Sequence, residues 1–190
     1  VGWRNEVMEE LCVKALEAGI EVEYAKSLVR KRNLIPNVPP IQCEDWPWPV
    51  KIFTLGRFVI LQEDKPMQFT GKVQQKPLEM LKAILSIGSG EAPEDHLIDA
   101  LWPDAEGDSA HQSLEIALHR LRRLLGSDKT VKRQGGQVSL DMRHCWVDIW
   151  AFEHLLEEAE AKRNEGFIES AIQLTEKAIE IYKGTFLGKE

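Results

Sequence analysis

The spacing of apolar residues between positions 77 and 125 predicts three helices. Residues 77–87 and 94–101 each place apolar side chains on one face, and Pro77 opens the earlier stretch. In residues 109–125 the apolar positions recur at i, i+4 and i+7, as they do in a helix packed against a core. The opposite face of this third helix carries Gln112, Ile116, His119 and Arg123, with Arg120 and Arg122 at its flanks.

Apolar and polar residues alternate on both sides of these helices, and this alternation predicts β-strands. Three short stretches between residues 50 and 71 predict an antiparallel sheet. Residues 130–141 alternate around Gly135-Gly136, a pair that allows the positive φ of a tight hairpin turn. Antiparallel strands, three helices and a closing hairpin predict an α+β fold, a winged helix-turn-helix with the hairpin as its wing.

Helical patterns flank this predicted domain on both sides. Two helices separated at Gly19 precede a linker that holds five of the nine prolines, and two more helices follow residue 148. Trp46 and Trp48 in the linker are expected to dock it onto a neighbouring domain. The predicted domains are a helical lead-in (1–33), a linker (34–49), the winged-helix domain (50–143) and a helical hairpin (144–190).

Charge is distributed unevenly along the chain, whose 190 residues carry a formal net charge of −7. Residues 50–143 hold 13 Lys and Arg against 13 Asp and Glu, whereas residues 144–190 hold 5 against 10. This balance argues against a non-specific binder of polyanions. It leaves room for a basic face confined to one part of the surface.

Several function classes lack support in the sequence. No apolar run approaches the roughly 20 residues of a membrane-spanning helix, and no signal peptide opens the chain. Cys12, Cys43 and Cys145 form no metal-binding or redox spacing, which is typical of a reducing compartment. We therefore expect a cytoplasmic protein with no membrane partner. Because no phosphate-cradling glycine loop and no paired histidines occur, we also expect no enzyme activity, cofactor or metal site.

Three blocks of sequence carry a family resemblance. Residues 97–103 (LIDALWP), 117–126 (ALHRLRRLLG) and 147–156 (VDIWAFEHLL) occur in the order and at the separations of the Streptomyces antibiotic regulatory protein family. The chain resembles that family over roughly residues 50–190. The resemblance implies a bacterial transcriptional activator whose OmpR/PhoB-type winged helix is followed by a TPR-like activator domain. Since the chain begins with Val1 and holds only the first helical hairpin of that domain, we expect a C-terminal fragment of a larger multidomain regulator.

The resemblance also implies that the helix 109–125 enters the major groove of DNA. Arginine can donate two hydrogen bonds to guanine, glutamine can bond adenine in the same way, and an exposed isoleucine suits a thymine methyl. The hairpin is expected to contact the minor groove or phosphates. The predicted DNA-binding residues are Ser109, Gln112, Ile116, His119, Arg120, Arg122 and Arg123 on the helix, and Lys132, Arg133 and Gln134 on the hairpin. The alternatives are a solvated helix face and a hairpin edge protected by lysine.

Two features near this helix complicate the DNA-binding interpretation. Glu115 stands where the family has an amide, and a carboxylate near DNA is repulsive unless it accepts from a cytosine amino group. The loop before the helix is acidic at Asp104, Glu106 and Asp108, and the resemblance implies a contact with RNA polymerase there. A plain solvated loop is the alternative. Asp108 and Ser109 are also candidates for the cap of the helix.

Two functions of different classes follow. The first is a sequence-specific DNA-binding module of a transcriptional activator, with double-stranded DNA, RNA polymerase and other domains of a larger regulator as partners. The second is a winged-helix and helical scaffold for protein–protein interaction or dimerisation, without DNA binding. Glu115, the neutral charge of residues 50–143 and the acidic C-terminal segment favour the scaffold. The helix arginines and the cations of the hairpin favour DNA.

Overall fold

A computed structural model describes residues 5–69, 75–87, 90–105 and 107–188. Its mixed α+β architecture comprises, within those residues, seven helices and two small sheets. The helices are α1 (Asn5–Glu17), α2 (Val22–Arg32), α3 (Gln75–Ser86), α4 (Glu94–Leu101), α5 (Asp108–Leu124), α6 (Asp148–Asn164) and α7 (Ile168–Ile181). The strands are β1 (Val50–Phe53), β2 (Val59–Gln62), β3 (Lys65–Pro66), β4 (Glu91–Pro93), β5 (Val131–Gln134), β6 (Gln137–Leu140) and β7 (Cys145–Val147).

The chain divides into two compact units, one formed by residues 1–66 with 145–190 and the other by residues 67–144. The strands β1 to β3, which the sequence assigns to the domain 50–143, lie in the first unit. The second unit holds α3 to α5 and the β5–β6 hairpin. No described helix combines the length and the apolar character needed to span a bilayer.

The first unit is built on a four-stranded sheet in the order β3-β2-β1-β7. β1 pairs antiparallel with β2 and parallel with β7, with Lys51 opposite Leu61 on one side and Trp146 on the other. The expected docking of the linker is confirmed, since Trp46 and Trp48 are buried in one core. That core includes Cys12, Leu16, Ala25, Val29, Leu34, Cys43, Trp46, Trp48, Trp146 and Ala151.

A buried carboxylate joins β1 to the start of α6. Asp148 accepts hydrogen bonds from the backbone N–H and the hydroxyl of Thr54 and from the N–H of Leu55, at 2.7–2.8 Å. It also accepts from the N–H of Ile149 at the first turn of α6. The carboxylate thus satisfies donors that β1 leaves unpaired where it ends.

The second unit places three helices against a three-stranded sheet in the order β4-β6-β5. β5 and β6 form an antiparallel hairpin, and Gly135 and Gly136 turn it with φ values of 61° and 74°. Both angles lie in the left-handed region, which favours glycine because it lacks a Cβ. The buried side chains at the centre of this unit include Met80, Leu81, Ile84, Leu97, Leu114, Leu118, Leu121 and Val138.

The structure confirms most of the predicted elements and corrects others. The α+β class, the hairpin and the helix 94–101 are confirmed, and α3 and α5 each begin and end within two residues of the prediction. Of the strand expected over 65–71, only Lys65–Pro66 is a strand among the described residues. Residues 67–69 are not part of a strand, and residues 70 and 71 lie outside the described residues. The strands β4 and β7 were not predicted. The N-cap of α5 is Gly107, which has no side chain to cap the helix, and not Asp108 or Ser109.

Candidate nucleic-acid interface

Helix α5 has one face in the core and the other in water. The buried face consists of Ala110, Leu114, Ala117, Leu118 and Leu121. Burial of these five side chains fixes the rotation of the helix about its axis, because turning it would expose leucines to solvent. The predicted row is consequently exposed, and it consists of Gln112, Ile116, His119 and Arg123. Arg120, at the flank of this row, is exposed as well.

Ile116 lies beside a shallow pocket in the second unit. The residue is 45% exposed, and it lines a cavity of about 220 Å³ together with Pro77 and Trp102. Arg120 lines the same cavity. About half of the isoleucine is therefore shielded from solvent, and the exposed part is available to an apolar partner such as a thymine methyl.

Arg122 differs from its two arginine neighbours because it is engaged within the fold. It is half-buried, and its Nε donates a hydrogen bond of 3.0 Å to the carbonyl oxygen of Val131. This bond ties the last turn of α5 to the first residue of β5. Ser109 is exposed in the first turn of α5, where its carbonyl oxygen accepts from the hydroxyl of Ser113.

Arg133 of the hairpin contacts two carboxylates. Its Nε and Nη2 donate to the two oxygens of Glu94 at 2.7 Å each, and its Nη1 donates to Glu115 Oε1 at 2.9 Å. The hydrogen bonds between Arg133 and Glu94 lower the pKa of Glu94. The same bonds are the largest cause of the raised pKa of Arg133. One guanidinium therefore joins β5 to the start of α4 and to the middle of α5.

Lys132, the other hairpin cation, is also paired. Its Nζ lies 2.9 Å from a carboxylate oxygen of Asp141, which Arg143 approaches at 2.8 Å. Burial would raise the pKa of Asp141, but the hydrogen bonds from Arg143 and Lys132 outweigh it and hold that pKa well below its usual range. Gln134 is exposed at the end of β5, opposite Gln137.

The cations predicted to bind DNA, apart from Arg122, therefore fall into two groups. Arg120 and Arg123 on α5 make no hydrogen bond or ion pair with the residues that the structure describes, whereas Lys132 and Arg133 on β5 are neutralised by neighbouring carboxylates. Glu94 was not predicted as the partner of Arg133. Glu94 lies with Asp95 in the first turn of α4, where the sequence alone suggests only that the carboxylates complement the helix dipole.

The acidic loop before α5 is described in part. Asp104 is exposed, and Asp108 is exposed in the first turn of α5. There its charge complements the partial positive charge of the helix N-terminus. Glu106, the third predicted residue of this loop, lies outside the described residues.

Comparison with known proteins yields a structural similarity. No protein-family model and no curated protein matches the chain. Among solved structures it is similar to Mycobacterium tuberculosis EmbR in complex with a low-affinity phosphopeptide, with a TM-score of 0.54 and 22% sequence identity. The match covers 73% of this chain and 37% of that chain, so the present chain corresponds to little more than a third of the EmbR chain. At this identity the similarity establishes a shared fold over the matched part and nothing about activity.

Proposed function

We propose that the unit formed by residues 67–144 is a winged helix that binds DNA in a sequence-specific manner, as the DNA-binding part of a bacterial transcriptional activator. The exposed row on α5 carries the proposal. Gln112, His119 and Arg123 share one helix face, the opposite face is buried, and the arginine is not neutralised by any described residue. Base-contacting side chains in a major groove need this arrangement.

Each group of residues has a distinct role in this proposal. Arg123 and Gln112 contact base edges, and Ile116 contacts a thymine methyl. Arg120 contacts a phosphate, while Ser109 and His119 complete the helix surface. Arg122 acts indirectly by holding α5 against β5. The hairpin residues Lys132, Arg133 and Gln134 lie beside the backbone or the minor groove, where the existing ion pairs weaken their electrostatic contribution.

Selection from a random duplex library, followed by binding measurements at several salt concentrations, tests the proposal. We expect an enriched motif and a log–log salt slope of about −0.9 for each phosphate contacted. Arg123→Ala should relax one base position at a cost of about 1–3 kcal/mol, whereas Arg120→Ala should weaken all sequences alike. Arg163→Ala is the matched control, because this exposed arginine on α6 is paired with Glu160.

The paired hairpin cations favour a second candidate function. A winged helix whose Lys132 and Arg133 are neutralised presents less positive charge to a DNA backbone, and it suits a scaffold for protein–protein interaction or dimerisation. In that case no motif is enriched and DNA binding stays at a dissociation constant of roughly 10⁻⁴ M or weaker. Arg123→Ala then leaves DNA binding unchanged.

The family resemblance supplies the wider assignment within this proposal. The activator belongs to the Streptomyces antibiotic regulatory protein family, α6 and α7 begin its TPR-like domain, and other domains of the regulator are partners. The acidic loop residues Asp104, Glu106 and Asp108 contact a basic surface of RNA polymerase. Replacing Asp104 by Asn is expected to reduce transcription activation in vitro without changing DNA affinity, whereas an equal loss of both would contradict the polymerase contact.

A further inference from the structure

We infer that Glu115 selects a cytosine at one position of the DNA site and that Arg133 holds its carboxylate in place. The inference rests on the DNA-binding function proposed above and extends it to a residue that the composition of the helix alone marks as unfavourable.

Arg133 is held in place by Glu94, independently of Glu115. Two of its N–H groups meet both oxygens of Glu94, and the Glu94 side chain is only 10% exposed. This two-pronged geometry sets the plane of the guanidinium. The remaining Nη1 donates to Glu115 Oε1 at 2.9 Å, so a long and otherwise mobile side chain is restrained at one oxygen.

The charges of the three groups do not cancel. One cation serves two carboxylates, and the excess negative charge lies on the exposed member, because the Glu115 side chain is 66% exposed. Its second oxygen, Oε2, accepts no hydrogen bond from the described residues. An exposed acceptor with residual negative charge repels phosphates and needs a donor.

Glu115 lies beside the row that is proposed to contact bases. It follows Gln112 by three residues and precedes His119 by four, which places all three on neighbouring positions of one helix side. In the major groove only cytosine and adenine present amino donors. Adenine presents the N7 acceptor next to its amino group, while guanine and thymine present acceptors. A carboxylate therefore discriminates in favour of cytosine.

Library selection with wild type and Glu115→Gln tests this inference. We expect the wild type to favour cytosine at one position on the order of 10- to 100-fold. Glu115→Gln should change that position to adenine, which glutamine bonds at N6 and N7, and leave the other positions unchanged. Asp99→Asn, an exposed substitution on α4 with the same change in charge, should leave the whole motif unchanged.

Two further variants separate positioning from general repulsion. Arg133→Lys keeps the charge but loses the fork, so the cytosine preference should weaken at the same position. Glu115→Ala should abolish the preference without creating one for adenine, and it provides the same test if the glutamine variant folds poorly.

The outcomes distinguish this inference from the function on which it rests. A wild type that enriches no motif overturns the DNA-binding proposal itself. A wild-type motif that both Glu115 variants reproduce at every position overturns the role of Glu115 alone. If the variants bind all sequences more tightly by one common factor, Glu115 only repels phosphates, and the selection of cytosine is likewise overturned.

Discussion

Replacing Arg133 by methionine tests whether one guanidinium holds α4, α5 and β5 together. Methionine keeps an aliphatic stem but removes the hydrogen bonds to Glu94 and Glu115. The two carboxylates respond differently. Glu94 is left nearly buried without its partner, whereas Glu115 is already largely exposed to water.

The expected cost follows from these exposures. A hydrogen bond between charged groups contributes about 1.5–3 kcal/mol when it is buried. The Arg133 side chain is 34% exposed, so solvent screening reduces the value of its bonds. We expect a loss of about 2 kcal/mol for the pair of bonds to Glu94 and little for Glu115. Hydrogen exchange of the β5 and β6 amides in the full chain should therefore be about 30-fold faster in Arg133→Met.

The effect has a defined dependence on pH. Hydrogen bonds from Arg133, the largest cause, hold the pKa of Glu94 below its ordinary value of 4.5 in the folded protein. A carboxylate of this kind adds stability above its unfolded pKa and loses that stability as the pH falls through the folded pKa. The exchange rate of Arg133→Met divided by that of the wild type should thus have its largest value at neutral pH. This ratio should fall progressively toward one below pH 4.5.

Lys132→Met on the same strand is the matched control. Its partner Asp141 keeps the hydrogen bonds from Arg143, and Lys132 is 47% exposed. Exchange should therefore accelerate less than about five-fold. Equal effects of the two substitutions, or a rate ratio for Arg133→Met that stays constant on acidification, would refute the reasoning.

Three further experiments probe the first unit. Asp148→Ala should lower the free energy of unfolding in urea by more than about 3 kcal/mol because it strands several buried donors, whereas Thr54→Val should cost about 1 kcal/mol. Gly56→Ala should lower the free energy of unfolding by more than Gly166→Ala does in the same assay. Both glycines have φ near +90°, but of the two only Gly56 would place the new Cβ against a backbone oxygen, at 2.6 Å. Burial raises the pKa of Cys43 to about 11, so iodoacetamide at mildly alkaline pH should label it far more slowly in the native protein than in urea, and equal rates would contradict this.

Elements with a local signal could be predicted from the sequence. The helix 94–101 follows a proline and ends at Trp102-Pro103, and both signals act within a few residues. The hairpin could be located because Gly135-Gly136 is a strong turn signal between alternating stretches. The exposed row on α5 followed from the apolar stripe on its opposite side, since the two faces of one helix determine each other.

Pairings between distant segments gave no comparable signal. β7 is only three residues long and joins β1 in parallel after a separation of more than ninety residues, with Val50 opposite Cys145. β4 is equally short, and it is a strand because β6 pairs with it. Neither segment has enough residues for a period of two to be recognised. Their strand character comes from partners that the local sequence does not specify.

The same distinction applies to the charges of the candidate interface. Residues 50–143 hold equal numbers of cationic and anionic side chains, and this balance is consistent with either proposed function. The structure separates those cations by their partners. Arg133 lies next to Glu94 only because the hairpin folds back toward the start of α4, a contact between residues 39 positions apart. Arg123 has no such neighbour among the described residues. A local basic face on an acidic protein thus depends less on how many arginines α5 carries than on which carboxylates the fold brings to each of them.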